Sequence, residues 1–254
     1  ASLPVDKVEP TPYQRDASDT HVKRLMGVVE KIAMFLDPII VIHKDAGYWT
    51  PNGNHRLQAL KKLGYRSVTA LVVPDAAVAF KILALNTEKA HNLRERSLEV
   101  IRIYKGLIDE DANRPEKDFA FYLEDPALVT LGLCYEKRGN FAGGAYHPIL
   151  RRLMEFSSEP LRKAIGTHED YAEKVFELDG LITGVVDKLK ERGLMSPYLR
   201  AFVVARINPL RWIKDEPPPL GEVLKTMRDR AAKFNVEKVN QQDLARSGGA
   251  PDGE

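Results

Sequence analysis

Apolar positions recur along the first hundred residues in two alternating periods, which predicts helices interleaved with short strands. Leu3 to Val8 reads as a first short strand that ends at Pro10. From residue 18 to 36, Val22, Leu25, Met26, Val29, Ile32, Ala33 and Leu36 fall on one helical face, and Pro38 ends the helix. Ile39-Ile40-Val41-Ile42 is a continuous apolar run, the mark of a buried strand. Lys44-Asp45-Ala46-Gly47 makes a hairpin turn into a second strand that opens at Tyr48. Asn52-Gly53 then turns the chain sharply, because glycine reaches the positive φ that a strand-to-helix corner needs. Asn54 is placed to cap the next helix, Leu57, Leu60 and Leu63 form its apolar face, and Gly64 stops it. Val68 to Val73 is a strand closed by Pro74, and Asp75 caps a helix through about Ala84. Ser97 is expected to cap another helix, with Val100, Ile103, Tyr104 and Leu107 on one face. The class predicted is α+β, a small mixed sheet with helices packed on it.

Past Asp109 the strand signals fade. Asp111 to Asp118 reads as a polar linker and Asn140 to Gly144 as a glycine-containing loop. A long helix is expected from Glu169 to Arg192, with Tyr171, Val175, Leu178, Leu181, Ile182, Val185 and Leu189 inward and Gly193 as its stop. Leu199 to Ile207 is a shorter apolar helix, Pro217-Pro218-Pro219 a rigid break, and about Gly221 to Phe234 a last helix. The polar, glycine-rich tail from Gln241 is expected to be disordered. The division predicted is an α+β domain over residues 1–109, a helical domain over 119–235 and a disordered tail over 236–254.

Composition narrows the function classes. The 254 residues carry 38 basic and 36 acidic side chains, so DNA binding would need a local basic face rather than overall charge. No apolar run reaches the ~18 residues of a membrane span, and no signal peptide is visible. The single cysteine, Cys134, excludes an internal disulfide and a cysteine zinc site, and lies in an apolar run where it reads as buried and inert. A cytoplasmic location is the default. Six scattered histidines give no clustered zinc set.

The chemistry concentrates at the Gly53 corner. A helix that starts there leaves backbone N–H groups unpaired beside the positive end of its dipole, and Arg56 adds a guanidinium in the first turn. Together Gly53, Asn54, His55 and Arg56 suit an anion, above all a phosphate. The same residues also make an ordinary tight turn with a surface arginine, and both readings stand. Glu88 and Asn92, four residues apart, would share a helix face and suit Mg2+; they are also what a solvated helix carries.

Gly53-Asn54-His55-Arg56 followed by Leu57-Gln58-Ala59 resembles the glycine–arginine box of the ParB N-terminal domain, whose superfamily includes sulfiredoxin. Two further boxes follow the family order. Val8-Glu9-Pro10-Thr11-Pro12-Tyr13-Gln14-Arg15 is similar to the first, usually Pro-x-Pro-x-Gln-Pro-Arg. Leu85 to Arg94, leading into Ser97-Leu98-Glu99, is similar to the third, usually Glu-Asn-x-x-Arg. The resemblance spans about residues 3 to 107. It implies that Gln14, Arg15, Gly53, Asn54, His55 and Arg56 surround a nucleoside triphosphate, CTP or ATP, with Mg2+ at Glu88 and Asn92. It further implies a partition-related protein whose helical part binds DNA or a second copy in a homodimer, and a possible nucleoside triphosphatase.

This chain departs from the family at three places. Asn54 and His55 replace the Glu-Arg pair inside the usual Gly-Glu-Arg-Arg, Gln14-Arg15 lacks the intervening proline, and Lys89 stands where the metal-supporting asparagine would be. These changes bear on CTP specificity and hydrolysis more than on fold. A helix-turn-helix follows the nucleotide domain in partition proteins; Ala127 to Leu133 and Tyr146 to Phe156 give its counterpart here. Arg138, Arg151 and Arg152, with Lys137 and Arg162, would supply phosphate contacts or simply form a solvated basic face. The alternative class is an enzyme on the same fold, a small-molecule kinase or a nuclease. The kinase reading takes Gly53-Asn54-His55-Arg56 as partway to Gly-His-His-Arg but finds Gln14 where a carboxylate base is needed.

Overall fold

The computed structural model describes residues 1–14, 16–32, 37–75, 78–87, 92–213 and 216–245. Arg15 and Glu88 lie outside the described residues. The first strand expected is two: β1 (Ser2–Pro4) and β2 (Val8–Pro10) are separated by a 3-10 turn over Val5–Lys7. This split sends the two pieces to opposite edges of one sheet. Helix α1 (Asp19–Ile32) precedes the hairpin of β3 (Ile39–Lys44) and β4 (Gly47–Asn52). Helix α2 (Asn54–Lys62), strand β5 (Ser67–Val73) and helices α3 (Val78–Thr87) and α4 (Leu93–Asp111) complete the α+β part.

The strand order is β1-β5-β3-β4-β2. β3 pairs parallel with β5 and antiparallel with β4, while β2 runs parallel to β4 and β1 antiparallel to β5. The mixed pattern follows from the connections. A two-residue turn can only reverse the chain, as at Asp45 with its φ of 49°, whereas the α2 crossover brings β5 back parallel to β3. Leu57 and Leu60 of α2 and Val29 of α1 bury against Ile39 and Val41 of β3 and Val68 and Ala70 of β5. Gly64, at φ 75°, ends α2 as expected, and the Tyr65 amide returns to the Leu60 carbonyl at 3.0 Å.

Two caps differ from expectation. Asn54 is the first helical residue of α2, and the cap position is Gly53 itself, with no side chain bonded to the helix start. Asn92, not Ser97, caps α4: its side-chain oxygen accepts the Glu95 amide at 2.9 Å, and Ser97 is buried within the helix. An Asx oxygen one residue before an apolar face competes better for the cap than a serine already surrounded by helix formers.

The helical part begins without a break. Helices α5 (Ala120–Leu123) and α6 (Pro126–Lys137) follow a 3-10 turn over Glu116–Phe119, and α6 packs along α4. The segment expected as a polar linker therefore carries a buried carboxylate: Glu116 is 1% exposed. Helix α7 (His147–Leu153) leads to α8 (Leu161–Glu191), which at about 1.5 Å per residue is the long spine of this half. Helices α9 (Leu199–Ile207) and α10 (Leu220–Ala232) lean on it, and Val175, Leu178, Ile182 and Leu189 face them. Leu181, expected inward, is 38% exposed, because the helix is eight residues longer at its start and only one face meets the bundle. The expected disordered tail is ordered in part. Val239 and Leu244 bury into the helical core, the latter from α11 (Gln241–Ala245). Among the described residues, no helix is long and apolar enough to cross a membrane.

Candidate functional site

The β4–α2 corner is built around a glycine that cannot be replaced. Gly53 has φ 126° and ψ 12°, and a Cβ there would lie 2.4 Å from Ile39 Cγ2. The turn thus presses the backbone onto the start of β3, and α2 begins with no side chain over its first N–H groups. Thr50, fully buried, steadies the corner from behind. Its hydroxyl lies 2.8 Å from the Ile40 carbonyl oxygen and 3.0 Å from that of Asn52.

Arg56 reaches across the corner rather than out of it. Nη2 donates to Asn52 Oδ1 at 3.1 Å, and Nη1 donates to the Pro38 carbonyl at 2.9 Å. The same Nη1 is 2.5 Å from the carboxylate of Asp37. The Arg56 side chain is 19% exposed and that of Asp37 79%, so a half-buried cation holds an oxyanion offered from solvent. His55 faces the other way. Its Nε2 accepts the Ser18 amide at 3.1 Å, and its ring lies 4.9 Å from that of His21, so it fixes the approach to α1. Gln14 donates to the Thr50 carbonyl at 2.8 Å and so lays the first-box loop along β4. The next residue in the loop's ring stack is Tyr13. Its ring packs 5.3 Å from Phe80 and edge-on to Trp49, and occupies the space where a Cβ on Gly106 of α4 would fall.

The structure thus brings Gln14, Gly53, Asn54, His55 and Arg56 onto one end of the sheet. Of the pair expected at Mg2+, only Asn92 is described. Glu88 lies outside the described residues, and Asn92, its expected partner, caps α4. The Asn92 oxygen is already bonded to Glu95, and among the described residues no group of three His, Cys, Asp or Glu could hold a metal.

The basic residues of the helical half are largely engaged. Arg138 pairs with the buried Asp179, which also binds Arg200 and accepts the Tyr146 hydroxyl at 2.6 Å. Arg152 donates to the carbonyls of Leu210 and Ile213 at 3.4 and 3.5 Å. Arg151, at 71% exposure, keeps only a 3.4 Å contact with Asp125. Residues 138–146 separate α6 from α7, more than the three or four residues of an ordinary helix-turn-helix turn. Cys134 is fully buried, and burial pushes its thiol up to about 12, with Glu173 adding to the effect.

A second polar cluster had no sequence signal because its members are far apart in the chain. His168 Nε2 lies 2.7 Å from Glu116 Oε1, and His168 Nδ1 lies 2.8 Å from the Thr130 hydroxyl. Tyr104 donates to Glu116 at 2.9 Å, and the Ser157 amide donates to its other oxygen at 2.6 Å. Burial raises the Glu116 carboxyl, but the bonds from His168, Ser157 and Tyr104 outweigh it and hold the group below the ordinary glutamate range. The cluster joins α4, α6 and α8 to the turn before α5. Thr130 is fully enclosed, so the hydroxyl–imidazole–carboxylate order is structural rather than nucleophilic.

No protein-family model matches the chain, nor does any curated protein. Among solved structures it is similar to sulfiredoxin from Arabidopsis thaliana, at 29% identity over 30% of this chain and 84% of that one, with a TM-score of 0.26. It is also similar to the C-terminally truncated chromosome-partitioning protein ParB from Caulobacter crescentus. In the form complexed to the centromeric parS site the identity is 17%, over 68% of this chain and 91% of that one, with a TM-score of 0.36. In the form complexed with CTP-gamma-S the identity is 18%, over 59% and 84%, with a TM-score of 0.31. These overlays are loose. What stands from the sequence reading is the α+β class, a five-stranded mixed sheet with packed helices followed by a helical region.

Proposed function

We propose that this chain is a ParB-like nucleotide-binding protein that holds the phosphates of a nucleoside triphosphate, CTP or ATP, at the Gly53 corner and works on DNA through its helical half. The observation that carries the reading is the Asp37–Arg56 contact. An uncapped helix start, a positive-φ glycine and a half-buried arginine converge on one spot, and its guanidinium already binds a solvent-exposed carboxylate. The Asp37 carboxylate is 79% exposed and readily rehydrated, so a phosphate that also meets the α2 amides can take its place on Arg56. Arg56 stays bonded to Asn52 and Pro38 during the exchange, which keeps the cation in place.

The test is a titration with CTP, ATP, GTP and UTP, with and without DNA, on the unaltered chain and two variants. Arg56→Lys keeps the charge but loses the fork, and weakens triphosphate binding by about tenfold. Asp37→Ala removes the competing carboxylate and tightens it. Triphosphate affinity that is the same in all three proteins, or absent in all, overturns the reading.

A further inference from the structure

The opposite end of the β3–β4 hairpin holds a cavity of about 240 Å³ that the phosphate corner does not explain. Gly53 abuts Ile39, the first residue of β3, whereas the strand residues that line the cavity are Ile42, Lys44 and Trp49. Three residues of strand, about 10 Å, separate Ile39 from Ile42. The walls are aromatic and aliphatic: Trp49, Phe80, Phe119 and Tyr122, with Ile42 and Leu107 behind. The mouth carries Lys44, Glu110, Asp111 and Arg114.

Two cations of the chain already use these rings. The Lys44 ammonium sits 5.1 Å from the centre of Trp49 and 3.3 Å from Glu110, and the Arg114 guanidinium sits 5.0 Å from the centre of Phe119 and 3.2 Å from Asp118. Ring faces that attract ammonium and guanidinium groups within ~6 Å form the recognition element of aromatic cages. The remaining acid at the mouth is unspent: Asp111 is exposed and takes part in no ion pair among the described residues. The local field has the same sign. The Tyr13 hydroxyl, behind the cavity, is raised by burial and then by Glu110 and Asp109, with Lys44 only partly opposing them.

We propose that this cavity is a second ligand site, for a small aromatic ammonium compound whose ring enters among Trp49, Phe80, Phe119 and Tyr122 and whose ammonium lodges at Asp111 and Glu110. A single-ring amine matches the volume, which is below the ~300 Å³ of most drug-sized sites. Lys44 is then the intramolecular competitor, a cation that the ligand displaces from Trp49.

The chain has two tryptophans, Trp49 and the exposed Trp212, so the full chain carrying Trp212→Phe reports on Trp49 alone. Its fluorescence and the shift of the Trp49 indole N–H are followed against 2-phenylethylamine, benzyl alcohol and 3-phenylpropionate, with no nucleotide in any arm. The amine is expected to give saturable binding and the carboxylate none. Asp111→Asn weakens the amine about fivefold, while Lys44→Met tightens it. Asp111 and Lys44 are both away from the core, and far-UV circular dichroism confirms that each variant is folded. Binding of benzyl alcohol as tight as that of the amine, preference for the carboxylate, weakening by Lys44→Met, or silence of both signals overturns the proposal. Because nucleotide is absent throughout, failure here leaves the phosphate-corner reading untouched.

Discussion

Replacing Gly53 with alanine tests the corner directly. An ideal Cβ lies 2.4 Å from Ile39 Cγ2, 2.7 Å from Ile39 Cβ and 3.2 Å from Ile39 Cα, where carbon atoms rest at about 3.5–4.0 Å. Something must move by about 1 Å. Ile39 is fully buried and belongs to the central strand, hydrogen-bonded to β5 on one side and β4 on the other, so it cannot yield without disturbing the sheet. Overpacking of this kind costs about 1–3 kcal/mol, and holding an L-residue at φ 126° costs a similar amount. The lower unfolded-state entropy of alanine returns less than about 1 kcal/mol. The net expectation is a loss of about 2–5 kcal/mol. Gly166, inside α8, meets nothing within 4 Å of an added Cβ, so Gly166→Ala should move stability the opposite way by about 0.5–1 kcal/mol. Urea unfolding followed by circular dichroism reads both midpoints. A Gly53→Ala midpoint at or above that of the unaltered chain would refute the tight-corner argument, and with it the claim that the backbone there is fixed for a ligand.

Three further outcomes follow from particular contacts. Glu116→Gln should destabilise by about 3–5 kcal/mol at neutral pH, because it leaves the buried His168–Glu116 contact without its carboxylate. Since the folded Glu116 group titrates below its unfolded value of about 4.3, its contribution is present above that pH and is lost as pH falls through the folded value; unfolding midpoints of the two proteins should converge toward pH 3. Cys134 should resist iodoacetamide at pH 8 until urea unfolds the chain, and rapid labelling of the native protein, read by mass, would contradict its burial. Binding to duplex DNA, measured by anisotropy, should fall with salt at a slope of only a few phosphates. Arg151→Ala should flatten that slope more than Arg138→Ala, because Arg138 is committed to Asp179, and an equal effect of both would count against the assignment.

Local signals in the chain carried most of the elements. The β3–β4 hairpin, the Gly64 stop and the apolar stripe of α9 depend on residues within a few positions of one another, so turn chemistry and periodicity suffice to find them. What escaped depended on distant partners. The run from Leu3 to Val8 reads as one strand because no glycine divides it before Pro10, yet Leu3 pairs with Val68 and Val8 with Tyr48 at opposite edges of the sheet. Glu116 sits in a stretch as polar as any linker, and only the arrival of His168, fifty-two residues later, makes burial tolerable. The aromatic cavity was invisible for the same reason: Trp49, Phe80 and Phe119 belong to three elements with no shared period.

The corner shows why a motif read alone understates its own residues. Arg56 reads as a phosphate candidate from its place in the first helical turn, and nothing nearby in sequence indicated Pro38 and Asp37 as its partners. The structure gives three of the corner residues a bond to another element. Arg56 holds the start of β3, His55 the approach to α1, and Gln14 the first-box loop to Thr50. Lys62, at the far end of α2, pairs with Asp19, so both ends of α2 are tied to the start of α1. A phosphate that displaces Asp37 therefore acts on a set of contacts spanning α1, α2, β3 and β4, and not on a lone side chain. Bracing and anion binding are then one arrangement: a guanidinium held by neutral carbonyl and amide oxygens keeps its full charge for the ligand. If so, Asp37→Ala should tighten phosphate binding and leave the unfolding midpoint nearly unchanged, whereas Arg56→Ala should lower both. A variant at Asp37 that destabilised the fold as much as one at Arg56 would show that the exposed carboxylate is part of the brace, and that the corner has no exchangeable anion to give up.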